Sequence, residues 1–249
     1  MITILRLTHS ADFDEAVPAA QRGTAIAERA FTEATGLEAT TIAKNAWPGP
    51  ELPDILGGWV DRYQPDIVFL GVNTYWFCYE SVPVKLERKV KFGGRQMASI
   101  GLAAAPRFAE YRAFQLLQRA AQKTIGGEAY FTPEDVVQRM AECVRRVLSK
   151  ESTVLTVCGP ASWFAMYETR ARRRAETKLA RVDRELCRFC EKLGVHYLSL
   201  DAVPGADART DEYLPNRLHG TANVHTARGE AEGRAMAAAW QLAHADGAT

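Results

Sequence analysis

The chain has 249 residues, 47% of them hydrophobic, and its 31 Lys and Arg nearly balance 30 Asp and Glu. A chain with this fraction of hydrophobic residues can bury a sizeable core, which argues against disorder as its main state. The near-zero net charge argues against a general attraction to nucleic acid or to an acidic membrane, so no nucleic-acid partner is expected.

Strand and helix patterns alternate through the first third of the chain. A short β-type run ends in small polar residues at Ser10, and a helical pattern follows it as far as Gly36. The run from Asp66 to Gly71 has a continuous apolar core, which is typical of a strand buried on both faces. The predicted elements are strands at 2–7, 37–42 and 66–71, with a helix between each pair, the second at 52–63.

The same alternation returns in the second half. Thr132 and Pro133 begin a helix as N-cap and first helical residue, and acids occupy its first turn. Further predicted elements are strands at 154–158 and 195–200 and helices at about 167–193 and 231–244. Such alternation predicts a single α/β domain over 1–249, a flavodoxin-like three-layer α/β/α sandwich with a mostly parallel five-stranded sheet.

One connection, from 81 to about 129, is longer than an α/β loop needs. Between Lys85 and Lys123 it carries nine Lys and Arg against two Glu, interleaved with apolar residues. We favour amphipathic helices packed on the domain edge. The alternatives are a mobile cap over the active site that selects an anionic or lipid-like acyl substrate, or a surface for a partner or a membrane. Membrane or lipid contact through 85–123 is the less favoured of these.

The first residues show no cationic leader before a longer apolar stretch, and no run of about 18 apolar residues occurs. We therefore expect a soluble, cytoplasmic protein. Its five cysteines are scattered, which favours reduced thiols. Cys187 and Cys190 form a CxxC spacing inside a charged helical pattern, and ordinary helix-face cysteines are favoured over a redox or metal site.

Chemistry is expected in the loops that follow the first three strands, because doubly wound sheets bind ligands outside the carboxyl ends of their strands. These loops contain Ser10, Gly49 and Asn73. They could supply a serine nucleophile, a glycine amide and an asparagine amide. Acyl transfer needs such a set, because donors must meet the negative oxygen of the tetrahedral intermediate.

This arrangement resembles the SGNH/GDSL hydrolases, whose blocks carry Ser, Gly, Asn and His. Residues 4–10, 45–49 and 68–73 are similar to the first three blocks, and the order of elements agrees over 1–80 and about 130–244. The resemblance implies a serine esterase that acts on a small or medium acyl ester, often an acetyl ester, with no metal or cofactor. The implied oxyanion donors are the Ser10 and Gly49 amides and the Asn73 side chain.

The fourth block of that family supplies the base as Asp-x-x-His. Asn216 and His219 have this spacing, whereas His225 lies closer to the glycine before the last predicted helix. The resemblance thus implies Ser10, His219 and Asn216 as catalytic residues, with His225 as the alternative base. An asparagine can orient an imidazole but cannot stabilise imidazolium by charge, so Asp211 is an alternative acid.

Two further departures from the family pattern keep a second function open. Thr8 and His9 stand where the family has Gly and Asp, and Thr74 follows Asn73 where the family has Asp. The alternative is a non-catalytic binding module of the same fold that has lost the acid of the triad. A nucleotide-binding protein is disfavoured, because no GxGxxG or GxxxxGK[ST] stretch follows a strand.

His9 and the aromatic segment 75–79 adjoin the candidate residues Ser10 and Asn73. His9 is expected to point away from Ser10, since adjacent side chains on extended backbone face opposite sides. For the aromatic segment 75–79, a floor or wall of the acyl pocket and a part of the core are equally favoured interpretations. The sequence leaves open the acyl group, the alcohol, the choice between hydrolysis and acyl transfer, and the oligomeric state.

Overall fold

A computed structural model describes residues 1–80, 85, 128–150, 153–162, 169–206 and 219–245. The described residues of Met1–Thr74 and Pro133–Thr249 form one compact unit, and those of Tyr75–Thr132 form another. Most of the predicted insertion, together with the candidate residues Asp211 and Asn216, lies outside the described residues. Those predictions therefore stay predictions.

The first unit is built on a five-stranded parallel sheet with the strand order β2-β1-β3-β4-β5. Every residue of β3 is buried, as its continuous apolar run predicts for a strand covered on both faces. The sheet confirms the predicted fold class, although β2 begins and ends two residues later than expected. The strands are β1 (Ile2–Leu7), β2 (Ala39–Lys44), β3 (Ile67–Gly71), β4 (Val154–Cys158) and β5 (His196–Leu198).

Helices cover both faces of this sheet. They are α1 (Gly23–Thr35), α2 (Leu52–Tyr63), α4 (Pro133–Leu148), α5 (Thr169–Lys192) and α6 (Ala222–Ala245). The second unit contains the short helix α3 (Tyr75–Cys78). Helices α1 and α6 pack together on one face, where Phe31, Phe69 and Met236 share one apolar cluster. Helix α4 packs between α2 and α5. No helix among the described residues is long and apolar enough to cross a membrane.

Helix α6 begins nine residues before the predicted start at about 231, so that prediction was wrong. Gly229 and Gly233 lower the helical propensity of this segment, yet both lie inside the helix. A methyl group at Gly233 would overlap the Ala27 carbonyl oxygen, and one at Gly229 would lie 2.7 Å from the Gly23 carbonyl oxygen. These glycines let α6 approach α1 closely, and packing outweighs their low propensity.

The cysteines and the aromatic segment 75–79 were each the subject of a prediction. All five cysteines are free thiols, and Cys187 and Cys190 both lie in α5. Within the second unit, Tyr75 stacks on Tyr79 with ring centroids 4.3 Å apart. Whether the aromatic segment 75–79 lines a pocket or forms core stays a prediction.

The sheet order places a topological switch point at β1. The chain leaves β1 for β2 on one side and then returns to β3 on the other, which opens a crevice at the carboxyl ends of these strands. A 3-10 helix at Ser10–Phe13 directly follows β1, and a second one at Ala19–Gln21 leads toward α1. We call Ser10–Phe13 the first turn.

Candidate active site

Ser10 begins the first turn and is exposed at the carboxyl edge of the sheet. The preceding residue, His9, keeps extended backbone, and its carbonyl accepts the Asp12 N–H at 3.1 Å. The Asp14 N–H closes the turn on the Ala11 carbonyl at 3.2 Å. The strand therefore ends in a tight turn, and the Ser10 hydroxyl stands outside the sheet where a ligand can reach it.

His219 lies against this hydroxyl. Its Nε2 atom is 3.0 Å from Ser10 Oγ, although the two residues are 209 positions apart. The ring is mostly buried, with 19% of its side chain exposed, and it lies three residues before α6 begins. The structure thus brings together the serine and the histidine that the sequence favours. A neutral imidazole in this position can accept the hydroxyl proton at Nε2.

The other ring nitrogen of His219 faces a carboxylate that the sequence analysis missed. Asp14 Oδ2 contacts His219 Nδ1, and Asp14 Oδ1 accepts the Ala16 N–H at 2.9 Å. Asp14 immediately follows the first turn, so one short segment carries both the serine and an acid. The family pattern has the acid three residues before the base, so the sequence predicted it near His219. The available signal was the pair Asp12 and Asp14, which closely follow Ser10 in the sequence.

His225, the alternative base, occupies a different environment. It lies in the first turn of α6 and is 6% exposed, and its Nδ1 accepts the Gly23 N–H at 3.0 Å. Asp12 Oδ1 lies 3.8 Å from the same nitrogen. Desolvation by burial lowers the pKa of His225. The ring therefore holds the start of α1 as a neutral acceptor, on the inner side of the first turn.

The two remaining oxyanion candidates lie on loops at the same edge of the sheet. Gly49 is buried, and a side chain there would overlap the Glu51 carboxylate. Asn73 is half-buried and stands between two anchored neighbours. The Val72 N–H donates to the Cys158 carbonyl at 3.0 Å, and the Thr74 hydroxyl donates to the Ala161 carbonyl at 2.5 Å. The Asn73 loop is therefore held on both sides of Asn73 by bonds to the end of β4 and to the segment that follows it.

A buried charged cluster lies beneath the first turn. Arg6 Nη2 is 2.5 Å from Glu232 Oε2 and 3.6 Å from Asp12 Oδ2. The Arg6 guanidinium also lies over the Phe69 ring, 4.7 Å from its centroid. Burial raises the pKa of Glu232 above its usual range, and Arg6 opposes that shift. We call Arg6, Asp12 and Glu232 the inner cluster.

His9 borders this cluster. A methyl group at Gly71 would lie 3.7 Å from His9 Cε1, so the ring lies beside the end of β3. Its Nδ1 atom is buried and lacks a hydrogen-bond partner in the described part of the chain. Desolvation and the positive charge of Arg228 lower the pKa of His9 to about 3, so the ring is neutral near neutral pH.

Within the described ranges, no three side chains among His, Cys, Asp and Glu converge to hold a metal ion.

Comparison with known proteins gives similarity of structure and not of sequence. No protein-family profile matches the chain, and no curated protein matches it significantly. The structure of the psychrotrophic esterase EstA from Pseudoalteromonas sp. is similar, with a TM-score of 0.53 and 10% identity over 97% of this chain and 100% of that one.

Two further solved structures agree. A lipolytic G-D-S-L family protein from Desulfitobacterium hafniense has a TM-score of 0.51 and 10% identity over 94% of this chain and 99% of that one. An acetylxylan esterase from Geobacillus stearothermophilus, crystallised as a catalytic mutant, has a TM-score of 0.51 and 12% identity over 94% of both chains. The resemblance read from the sequence blocks is thus confirmed at the level of structure: the chain has the fold of the SGNH/GDSL esterases.

Proposed function

We propose that this chain is a serine esterase that hydrolyses a small or medium acyl ester, with acetyl esters as the first candidates. The observation that carries the proposal is the connected set Ser10, His219 and Asp14. Ser10 Oγ lies 3.0 Å from His219 Nε2, and Asp14 contacts His219 Nδ1. A nucleophile, a base and a group that orients the base are the three parts that activate a serine.

Each residue takes one role in the proposed reaction. His219 accepts the hydroxyl proton at Nε2 while Ser10 Oγ attacks the ester carbonyl, and a tetrahedral intermediate forms. His219 then returns the proton to the departing alcohol, which leaves an acyl-serine. Water attacks the acyl-serine with His219 again as base, and the acid is released as Ser10 regains its proton.

Asp14 answers the main objection that the sequence raised. Asn216 could orient the imidazole but not stabilise its charge, which led to the alternative of a non-catalytic binding module. Asp14 carries a carboxylate at His219 Nδ1, where it can hold the proton on that nitrogen and stabilise the imidazolium that forms. The role proposed for Asn216 therefore passes to Asp14.

The Ser10 and Gly49 amides and the Asn73 side chain remain the proposed oxyanion donors. Ser10 follows β1, Gly49 follows β2 and Asn73 follows β3, and these three strands are neighbours in the sheet. Preorganised donors of this kind stabilise the negative oxygen that develops on the substrate carbonyl. The proteins of similar fold include an esterase from Pseudoalteromonas sp. and an acetylxylan esterase, which supports an ester as the substrate class.

The direct test is turnover of p-nitrophenyl acetate by the wild type and by Ser10→Ala. We expect Ser10→Ala to lower kcat by at least about 10³-fold, because the nucleophile is lost. A fluorophosphonate probe should label the wild type at Ser10 and leave Ser10→Ala unlabelled. Ser149→Ala is the matched control, since Ser149 is exposed at the end of α4 and its hydroxyl donates to the nearby Arg146 carbonyl.

Two outcomes contradict the proposal. If Ser10→Ala keeps the wild-type rate, Ser10 is not the nucleophile. If the wild type neither hydrolyses esters nor reacts with the probe, the non-catalytic binding module becomes the better explanation.

A further inference from the structure

The first turn carries two of the three proposed catalytic groups. Ser10 begins it and Asp14 directly follows it, and both must reach the same imidazole from opposite ends. A 3-10 turn has poorer hydrogen-bond geometry than an α-helix, and its own backbone bonds hold it weakly. Something else must therefore fix the separation between the serine and the acid.

Asp12 lies in the middle of this turn and is 8% exposed. Its Oδ2 accepts the Thr8 hydroxyl, and its Oδ1 accepts the Thr24 N–H at 3.1 Å. Thr8 directly follows β1, and Thr24 lies in the first turn of α1. One buried carboxylate therefore ties the turn to the end of the central strand and to the start of a helix.

Charge strengthens this anchor. Burial alone raises the pKa of Asp12, but the Arg6 charge and the hydrogen bonds from Thr8 and Thr24 outweigh it and lower the pKa to about 2. Asp12 is thus ionised near neutral pH. Hydrogen bonds to an ionised acceptor are about twice as strong as neutral ones, so the anchor is stiff.

The same cluster reaches the element that follows His219. Arg6 lies between Asp12 and Glu232, and Glu232 belongs to α6, whose first residue is three positions after His219. Arg6 thereby links the turn that carries Ser10 and Asp14 to the helix that follows His219. None of the inner cluster takes part in the proposed proton transfers.

We propose that Asp12 is a positioning residue of the esterase site, one that holds the first turn so that Ser10 and Asp14 both engage His219. This inference rests on the proposed function. It also extends it, because it assigns the two aspartates of one turn to different tasks: Asp14 orients the base, and Asp12 orients the turn.

The test compares Asp12→Asn with Glu232→Gln in the full chain. Asp12→Asn keeps the shape of the side chain but removes the charge and one acceptor. We expect kcat per probe-labelled site to fall about 10- to 100-fold with KM nearly unchanged, since small misplacements of reacting groups have costs of this size. Glu232→Gln loosens the link from Arg6 to α6 but leaves both hydrogen bonds of Asp12 in place, so its kcat per labelled site should fall less than that of Asp12→Asn.

A second variant covers the case in which Asp12→Asn fails to fold. Thr8→Val is nearly isosteric and removes the strand-to-turn hydrogen bond while the Arg6 charge still faces Asp12. We expect a smaller fall in kcat, again without a change in KM. Equal losses of kcat in Glu232→Gln and Asp12→Asn would overturn the proposal, and so would wild-type kcat in both Asp12→Asn and Thr8→Val.

A spectroscopic readout separates this proposal from the proposed function. The ¹⁵N spectrum of the imidazoles, assigned by comparison with His219→Gln, reports which nitrogen of His219 carries the proton. We expect the proton on Nδ1 in the wild type and a mixture of tautomers in Asp12→Asn. This shift can appear even if the protein hydrolyses no ester, and an unchanged His219 spectrum in Asp12→Asn overturns the positioning role whether or not the wild type is active.

Discussion

Two aspartate–histidine pairs lie on opposite sides of the first turn. The outer pair is Asp14 with His219, and its side chains keep 16% and 19% of their surface exposed. The inner pair is Asp12 with His225, whose Nδ1 and Oδ1 atoms are 3.8 Å apart in a buried environment. Residue types alone do not distinguish the pairs, so the role of each histidine follows from its surroundings.

The difference lies in what each imidazole nitrogen meets. His219 has Asp14 at Nδ1 and the exposed Ser10 hydroxyl at Nε2. His225 uses Nδ1 to accept the Gly23 N–H, and burial lowers its pKa. A buried, desolvated histidine is suited to holding backbone in place, whereas a partly exposed one with two polar partners is suited to moving protons.

The largest difference in activity should appear when each of the two histidines is replaced by alanine in turn. We expect His219→Ala to lower kcat for p-nitrophenyl acetate by at least about 10³-fold, because no base remains for Ser10. His225→Ala should keep kcat near the wild-type value but lower the free energy of unfolding by about 1–3 kcal/mol, since the Gly23 N–H loses its acceptor. The activity assay measures kcat for both variants, and urea denaturation measures their free energies of unfolding. Loss of activity in His225→Ala with the fold intact would erase the contrast between the pairs.

The next effect concerns the outer acid. Asp14→Asn keeps a group that can bond to the imidazole but removes its negative charge, so kcat should fall by about 10²- to 10⁴-fold with a smaller change in KM. Asp54→Asn is the matched control, because Asp54 is an exposed acid in the first turn of α2. If Asp14→Asn and Asp54→Asn are equally active, the acid lies elsewhere, and Asp211 and Asn216 become the residues to mutate.

The smallest expected effect is the pH dependence of the free energy of unfolding that His9 contributes. Free histidine titrates near 6.5, whereas burial and the Arg228 charge lower the pKa of His9 to about 3. Below pH 6.5 the unfolded chain therefore binds a proton at His9 that the folded chain does not bind. Stability falls as the pH drops from about 6.5 toward 3, by at most about 1.4 kcal/mol per pH unit for this one group.

The variant His9→Gln should flatten that dependence. Arg6, Asp12, Arg228 and His225 surround His9, and the lowered pKa of His225 leaves part of the slope in place. Urea denaturation between about pH 6 and pH 4.5 measures the slope independently of any constant loss of stability. Identical slopes in the variant and the wild type would show that His9 binds a proton in the folded protein as readily as in the unfolded chain.

Much of the fold follows from local patterns. The continuous apolar run of β3 and the periodic apolar face of α4 were assigned correctly, because burial of each element leaves a regular signature in its own residues. The start of α6 was placed too late, because Gly229 was predicted to precede the helix. Gly229 fits inside the helix because it allows the close approach of α1, which lies far away in the sequence.

The sequence by itself determined the alternating elements, the parallel sheet, and the loops on which Ser10, Gly49, Asn73 and His219 lie. It did not identify Asp14, because the contact between Asp14 and His219 joins residues 205 positions apart. Nor did it reveal that Arg6 is buried and pairs with Asp12 and Glu232. Arg6 lies on the same strand face as Ile4, where an apolar residue is expected. Elements form from periodic, local information, whereas the partner of a charged side chain depends on which distant groups the folded sheet brings within hydrogen-bonding distance.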